Sequence, residues 1–185
     1  FTHLYAAYSP EVEQLNKEVE EFKNVLKQLV YPIPIVHAVS SAAFFKCPEM
    51  HYRYARIGTS LYGYLAYENQ QELGFQPIME LKSRIVDIVE CNGSRINKYD
   101  SINVGEETTR VAVVPIGYKH SLIFTNLKKG YFLVGNQLVP ILGTPCMNHT
   151  IIDISQVPSA QIGEEVTIMG GNGKGQIKAE TLAAQ

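Results

Sequence analysis

The chain has 185 residues, of which 45% are hydrophobic, and a formal net charge of −2 at pH 7. These proportions predict one ordinary domain or two small ones with a packed core, and they exclude a disordered chain. Its 16 basic and 18 acidic residues form no basic block, which argues against a nucleic-acid partner. The apolar runs are too short to cross a membrane, and we expect no signal peptide, no membrane partner and a cytoplasmic location.

The three cysteines, Cys47, Cys91 and Cys146, lie far apart and do not have the spacing of metal ligands. They predict free thiols in a reducing compartment and no metal site. The first residue is Phe1 rather than methionine, so we expect the chain to be an excerpt of a longer protein or a processed product.

Short apolar runs and one clear helix alternate over residues 1 to about 65. "FTHLYAAY" predicts a buried strand, and Ser9 and Pro10 are typical of the N-cap and first position of a helix. Apolar residues then recur every three or four positions, at Val12, Leu15, Val19, Phe22, Leu26 and Leu29. "IPIVHAV" predicts a strand, "SSAAFFKC" a short helix and "YARIG" another strand. This β-α-β-α-β order indicates parallel strands with crossover helices.

From about residue 76 the pattern becomes rich in β-strands. "IMELKSRIVDIVEC" predicts one long strand, and "TTRVAVVPIG", "YFLVGNQLVPIL", "HTIIDIS" and "EEVTIMG" predict shorter ones. Gly135-Asn136 predicts a two-residue hairpin turn. "LAYENQQELGF" is a linker candidate, so we place one domain at residues 1–66 and a linker with a β domain at residues 67–185. "GGNGKG", residues 170 to 175, indicates a plain glycine turn, because it lacks the spacing of a P-loop.

Polar residues follow two of the predicted parallel strands. Ser40 and Ser41 lie in the loop after "IPIVHAV", and Gly58, Thr59 and Ser60 lie after "YARIG". Hydroxyl groups and backbone N–H groups at such loops suit a phosphate, and in (β/α)8 barrels phosphate often binds after strands seven and eight. The alternative is that Ser41 only caps a helix and Gly58 only makes a turn. Arg56 would lie beside this site, where a permanently protonated donor disfavours protonation of a facing ring nitrogen.

Several segments in the same order resemble the alanine racemase family. "VSSAAFF" is similar to the family's "ANSAA", "ARIGTSLYGY" to "VRPGIALYG", and "FTHLYAAY" to the "THFA" barrel strand. "VAVVPIGY" and "VPILGTPCMNHTIIDIS" resemble "PIGYADG" and "PIxGRVCMDQxxVDVT", and "PIMELKSRIVDI" resembles the opening strand of the second domain. The resemblance implies an α/β plus β fold, in which the C-terminal part of a (β/α)8 barrel precedes a mostly antiparallel β domain.

The resemblance also implies a cofactor and residue roles. Pyridoxal 5′-phosphate would be held through its phosphate by Ser41, Gly58 and Thr59, while Arg56 would face the pyridine nitrogen. His3 would belong to the network that orients the arginine, and His37 would either join it or be an ordinary core histidine. Tyr118 and Met147 would line the substrate pocket, reached from the partner subunit of a head-to-tail homodimer.

The reaction implied is isomerisation of a small amino acid, L- to D-alanine, for peptidoglycan synthesis. It needs a base on each side of the α-carbon. One base in the family is a tyrosine, and two placements compete here. Letter similarity selects "INVG", whose Val104 cannot exchange a proton, whereas ungapped counting back from "PIGY" selects Tyr99. We prefer Tyr99, whose alternative is a hydrated surface tyrosine.

The family's other base is the Schiff-base lysine of a "KADAYGHG" segment, which is absent from this sequence. We therefore expect this chain alone to be inactive. His120 and Asn148 depart from the family pattern near the expected entrance, and His120 could serve as a base or be a solvated loop residue. His51 and His149 are expected to be structural or solvated. The alternatives are a serine racemase, a non-catalytic relative, and a racemase-like segment of a membrane-linked resistance protein.

Overall fold

The computed structural model of the protein describes residues 1–65, 73–91, 109–120, 130–171 and 175–183. The chain forms two compact units, Phe1–Ile78 and Met79–Gln185. The predicted boundary at residues 66 and 67 lies at the edge of a range outside the described residues, and it stays a prediction. No helix in the described ranges is long and apolar enough to cross a membrane.

The first unit is built on two α-helices, α1 (Val12–Gln28) and α2 (Ser41–Lys46). Short 3-10 helices lie at Tyr5–Tyr8, Pro48–Met50 and Thr59–Tyr62. Buried apolar side chains from these helices and from the segments beside them form one core, made of Leu4, Ala6, Ala7, Leu15, Val19, Ala38, Val39, Ala42, Ala43, Cys47 and Met50. The predicted short helix in "SSAAFFKC" is confirmed by α2.

The helix α1 begins two residues later than predicted. Ser9 and Pro10 precede it, and Glu11 is the N-cap residue. The Ser9 hydroxyl instead accepts a hydrogen bond from the backbone N–H of Glu11, at 3.1 Å. This local turn provides a hydrogen-bond acceptor for the Glu11 N–H before the helix starts. Ser9, a typical N-cap residue, therefore lies outside the helix.

The prediction that "FTHLYAAY" forms a buried strand was wrong, because residues 5 to 8 form a 3-10 helix. Ala6 and Ala7 are buried, whereas Tyr5 is 80% exposed. The backbone N–H of Ala6 donates to the carboxylate of Glu18 at 3.1 Å, so its partner is a side chain of α1 and not a neighbouring strand. A short apolar run fits one turn of helix as well as a buried strand.

"IPIVHAV" and "YARIG" are also not assigned as strands. Their link within the described residues is one parallel bridge between Ser40 and Arg56, in which the N–H of Arg56 donates to the carbonyl of Val39 at 3.0 Å. Ile33 and Ile35 stay about half exposed, at 49% and 54%. A strand is defined by its ladder of hydrogen bonds, and a single bridge is too little to count as one. The predicted parallel direction is nevertheless confirmed by this bridge.

The second unit contains seven antiparallel strands in the described ranges. They are β1 (Leu81–Arg84), β2 (Asp87–Cys91), β3 (Thr109–Val114), β4 (Tyr131–Val134), β5 (Gln137–Pro140), β6 (Thr150–Asp153) and β7 (Glu165–Met169). One sheet has the order β1-β7-β4-β5, the other the order β2-β3-β6. A short helix, α3 (Ala179–Ala183), follows. The predicted hairpin turn at Gly135-Asn136 is confirmed between β4 and β5, where Gly135 has φ 59°.

The predicted long strand "IMELKSRIVDIVEC" is two strands that belong to different sheets. The break falls at Ile85 and Val86: the N–H of Ile85 donates to Glu164 beside β7, and the N–H of Val86 donates to Val113 of β3. Ile85, 1% exposed, lies at this break and belongs to the core of the second unit. Residues on both sheets share this core, including Val114, Phe132, Val139, Ile152 and Ile168.

Candidate active site

Arg56 is the centre of a hydrogen-bond network in the first unit. Its Nη1 lies 2.6 Å from Nδ1 of His37, and its Nη2 donates to the backbone carbonyls of Thr2 at 2.8 Å and Ala38 at 3.1 Å. His3 lies at the edge of the network, with Nδ1 3.4 Å from Nη2. The side chain is therefore held from several directions, as an orienting network requires.

The hydrogen-bond partners of this guanidinium carry no negative charge. They are carbonyl oxygens and imidazole nitrogens, and no carboxylate is among them in the described part of the chain. The ring of Phe1 also faces the cation, 5.1 Å from Cζ, and stacks on His37. The positive charge of Arg56 is therefore not neutralised by an acidic partner among these contacts, and it is available to a ligand.

His37 must be neutral to take part in this network. Its Nδ1 faces a donor that cannot lose its proton, so Nδ1 accepts and the ring proton resides on Nε2. Removal of water from the ring, and then the positive charge of Arg56, lower the pKa of His37 below its ordinary value of 6.5. The neutral state is the one that the geometry requires.

We expect His37 in the full-length protein to titrate below pH 6.5, measured by NMR on its ring protons. The unfolded chain takes up this proton near 6.5 and the folded chain at lower pH, so the free energy of unfolding falls as the pH drops below about 6.5. Replacing the cation, in Arg56→Gln, should raise the His37 pKa. A wild-type pKa at or above 6.5 would contradict the network.

The second part of the site is a loop closed by Ser41. Its Oγ accepts hydrogen bonds from the backbone N–H groups of Gly58, at 2.8 Å, and Ser60, at 3.3 Å. Ser41 is 4% exposed, while Gly58 and Thr59 are exposed. Because both bonds use the oxygen as acceptor, the Ser41 hydroxyl proton remains able to donate to an anion.

Gly58 does not have the left-handed backbone conformation of a glycine that makes a tight turn. Its φ of −121° is open to other residues, and the left-handed glycine of this segment is Gly63, with φ 79° at the end of the 3-10 helix. An added Cβ at Gly58 would stand 4.0 Å from the Ser41 hydroxyl oxygen, which is ordinary van der Waals contact.

The structure thus brings together four of the residues predicted from the sequence. The Ser41 hydroxyl accepts a hydrogen bond from Gly58. Arg56 and Thr59 lie on the same short segment as Gly58. The bridge between Ser40 and Arg56 joins the two segments. Tyr99, the predicted base, and its alternative Val104 lie outside the described residues.

The second unit contains a separate cavity of about 680 Å³. Its lining consists of Tyr118, Thr144, Pro145, Cys146, Met147, Asn148 and His149. Both residues predicted for the substrate pocket, Tyr118 and Met147, are among them and are about half exposed. The cavity is large enough for a small amino acid.

The two loops of this cavity touch through their backbones. The N–H groups of Tyr118 and Lys119 donate to the carbonyls of Cys146 and Met147, at 3.1 and 3.0 Å. A Cβ on Gly117 would stand only 2.0 Å from the Cys146 carbonyl oxygen, so this close approach requires glycine. The loop pair is therefore a firm scaffold for the residues that line the cavity.

His120 and His149 are both exposed to solvent. His120 does not line the cavity, and its Nδ1 accepts a hydrogen bond from the N–H of Gly117 at 3.2 Å. His149, expected to be structural or solvated, lines the cavity together with Asn148. Among the described residues, no group of three or more histidine, cysteine or acidic side chains is arranged to hold a metal ion.

Sequence reasoning missed the carbonyl partners of Arg56 and the unusual state of Ser40. Ser40 precedes α2 but makes no capping hydrogen bond, and its hydroxyl is buried with no hydrogen-bond partner in the described structure. Backbone partners such as Thr2 leave no trace in side-chain patterns. The position of Ser40, directly before Ser41 on a strand-like segment, was the available signal.

Two family models together match most of the chain. Residues 1–66 match the model described as alanine racemase, N-terminal domain, and residues 78–185 match alanine racemase, C-terminal domain. The alanine racemase of Nostoc sp. is 32% identical over 187 residues, which cover 99% of this chain and 48% of the relative. That of Leptospira interrogans is 34% identical over 176 residues, which cover 90% and 45%. The chain spans about half the length of these curated relatives.

Solved structures show the same likeness. The alanine racemase of Clostridium difficile 630 in complex with cycloserine has a TM-score of 0.83 and 28% identity, and the match covers 100% of this chain and 49% of that one. The enzyme from Bartonella henselae with covalently bound pyridoxal phosphate has a TM-score of 0.82 at 20% identity, which shows a shared fold. The expected fold class, the C-terminal part of a (β/α)8 barrel followed by a β domain, is confirmed. Since the C-terminal-domain match alone covers more than half of its residues, the chain belongs to the alanine racemase family.

Proposed function

We propose that this chain is part of an amino-acid racemase that uses pyridoxal 5′-phosphate to interconvert L- and D-alanine, for the supply of D-alanine to the cell wall. The observation that carries the proposal is the joining of Arg56 and the Ser41–Gly58 loop by one parallel bridge. This juxtaposition sets a cation and a set of neutral donors side by side, on two segments whose order matches the family's.

The residues present fit the phosphate of this cofactor. The Ser41 hydroxyl has a proton to donate, and the N–H of Thr59 lies in an exposed loop, whereas the N–H of Gly58 already donates to the Ser41 oxygen. Neutral donors of this kind suit a dianion, since each hydrogen bond to a charged group contributes about 1.5–3 kcal/mol net.

Arg56 fits the other end of the cofactor. The hydrogen bonds that it makes within the described residues use Nη1 and Nη2, and none uses Nε. The Nε–H is therefore available to a ring nitrogen. An arginine there donates and never accepts, so it holds the ring nitrogen unprotonated.

When bound, the cofactor supplies an electron sink that stabilises the negative charge left by removal of the α-proton. The protein must then supply a proton carrier on each face of the α-carbon. We assign one of them to Tyr99. Its hydroxyl has an ordinary pKa near 10, so it needs a nearby positive charge or hydrogen-bond donors to act as a base at neutral pH.

We further propose that Tyr118 and Met147 contact the substrate in the partner subunit of a head-to-tail homodimer. The cavity that they line in the second unit supports this assignment, because it is apolar for the most part and accommodates a small amino acid. The free thiols of Cys47, Cys91 and Cys146 support a cytoplasmic location.

The test is a racemase assay on the full-length protein supplied with pyridoxal phosphate. We expect D-alanine to form from L-alanine, with exchange of the α-hydrogen for deuterium when the reaction runs in D₂O. L-serine in a parallel assay identifies the preferred substrate. Cofactor binding without α-hydrogen exchange on either amino acid would refute the proposed reaction and favour a non-catalytic relative.

A further inference from the structure

Ser40 has a hydroxyl group that the fold does not use. The residue is 7% exposed, and its Oγ is buried without a hydrogen-bond partner in the described structure. It is the only side-chain atom of the described residues in this state. Buried hydroxyls are nearly always paired, so an unpaired one in a native fold calls for a specific reason.

Helix capping does not provide that reason. Ser40 stands at the N-cap position of α2, but its side chain makes no capping hydrogen bond. Two nearby residues in the chain are apolar and fully buried, with Val39 at 0% and Ala42 at 1% exposed. An alanine would fit such surroundings as well as a serine and would avoid the unpaired oxygen.

The position of Ser40 places it between the two parts of the candidate site. It pairs with Arg56 in the parallel bridge, and residues paired in this way lie about 4.8 Å apart with their side chains on the same face. The next residue along the chain is Ser41, whose hydroxyl closes the Gly58 loop. Ser40 therefore shares a face with the guanidinium and adjoins the anion-binding hydroxyl.

We propose that Ser40 is an additional cofactor-binding residue, whose hydroxyl donates a hydrogen bond to the ring portion of bound pyridoxal phosphate. The inference rests on the proposed function. The ring is favoured over the phosphate because Ser40 is paired with Arg56, which faces the ring, whereas the loop hydroxyl belongs to Ser41. Binding of the cofactor then satisfies a group that is unpaired in its absence.

This assignment makes opposite predictions for the two states of the protein. Ser40→Ala in the full-length protein should leave the melting temperature of the cofactor-free form unchanged or higher, because it removes an unpaired buried hydroxyl. The same change should weaken pyridoxal phosphate binding by about two- to ten-fold, the range for one neutral hydrogen bond. Cofactor absorbance gives the affinity, and Ser159→Ala, at an exposed serine, is the control.

Two further probes locate the contact. Pyridoxal, which lacks the phosphate, should lose affinity in Ser40→Ala, and inorganic phosphate, measured by competition, should not. Equal loss of phosphate affinity would overturn the ring assignment. A lower melting temperature of the cofactor-free variant would assign Ser40 a structural role, for example through a bound water, and would overturn the proposal.

The experiment distinguishes refutation of the proposed function from refutation of this inference. If the wild-type protein does not bind pyridoxal phosphate, both the proposed function and the role of Ser40 are refuted. If the wild type binds and Ser40→Ala binds equally well, only the role of Ser40 is refuted.

Discussion

Ser41→Ala in the full-length protein is expected to weaken pyridoxal phosphate binding by about ten-fold or more, since a hydrogen bond to a charged phosphate contributes about 1.5–3 kcal/mol. The change removes the proton that Ser41 can donate to the phosphate. It also removes the acceptor that holds the N–H groups of Gly58 and Ser60, so the loop loses its closure. The cofactor-free form should therefore melt at a lower temperature than the wild type.

The comparison of two adjacent serines makes this measurement specific. Ser41→Ala should lower both the stability of the cofactor-free protein and the affinity for inorganic phosphate, whereas Ser40→Ala should lower neither. Titrations are carried out well below the melting temperature of each variant, so that loss of folding is not counted as loss of affinity. Equal affinity of Ser41→Ala and wild type for pyridoxal phosphate would remove Ser41 from the site.

The prediction of strands from the sequence was reliable where the chain supplies both partners of a ladder. In the second unit, apolar alternation between turn residues located strands such as β6 and β7, because each pairs with another strand of the same chain. In the first unit, "IPIVHAV" has the same apolar character but one bridge to "YARIG" in the described structure. The sequence pattern indicates which residues can be buried in a sheet. Whether they form a strand depends on whether a neighbouring strand is present to form backbone hydrogen bonds with them.

The long strand at residues 78–91 shows a different limit. Period-two alternation predicts that buried side chains recur at every second residue. The less exposed positions are Ser83 and Ile85 before the break but Ile88 and Cys91 after it, so they do not continue one alternation. The sequence also cannot show that the N–H groups of Ile85 and Val86 bond to different sheets. A run of β-forming residues that crosses between two sheets is therefore predicted as one strand.

The candidate site was predictable in its side chains and not in its backbone. Ser41, Arg56 and Gly58 were identified because a hydroxyl, a guanidinium and a glycine are distinctive residue types, and because Ser41 and Arg56 have the spacing of the alanine racemase family. The carbonyls of Thr2 and Ala38, which hold the guanidinium, belong to every residue type and so carry no sequence signal. The state of Ser40 depends on its having no hydrogen-bond partner within the described structure, which only the three-dimensional fold reveals.

Arg56→Lys is expected to lower the racemase activity of the full-length protein by about 10²-fold, the loss typical of a displaced positioning group. Lysine keeps the charge, but its single ammonium cannot replace a planar fork that contacts His37, Thr2 and Ala38 together. Each lost hydrogen bond to a charged group lowers the free energy of unfolding by about 1.5–3 kcal/mol.

The control for this variant is Arg53→Lys, at an exposed arginine that faces the ring of Tyr54 from 6.0 Å. Both variants keep the net charge, so a difference between them reports geometry and not charge. Arg56→Lys should bind inorganic phosphate normally, because the Ser41 loop is intact. In this variant the pyridine nitrogen of bound pyridoxal phosphate should take up a proton at a higher pH than in the wild type. That shift appears in the pH dependence of the cofactor absorbance. Wild-type activity and an unshifted spectrum in Arg56→Lys would show that the guanidinium does not face the ring nitrogen, and the network around it would then be a structural feature of the fold.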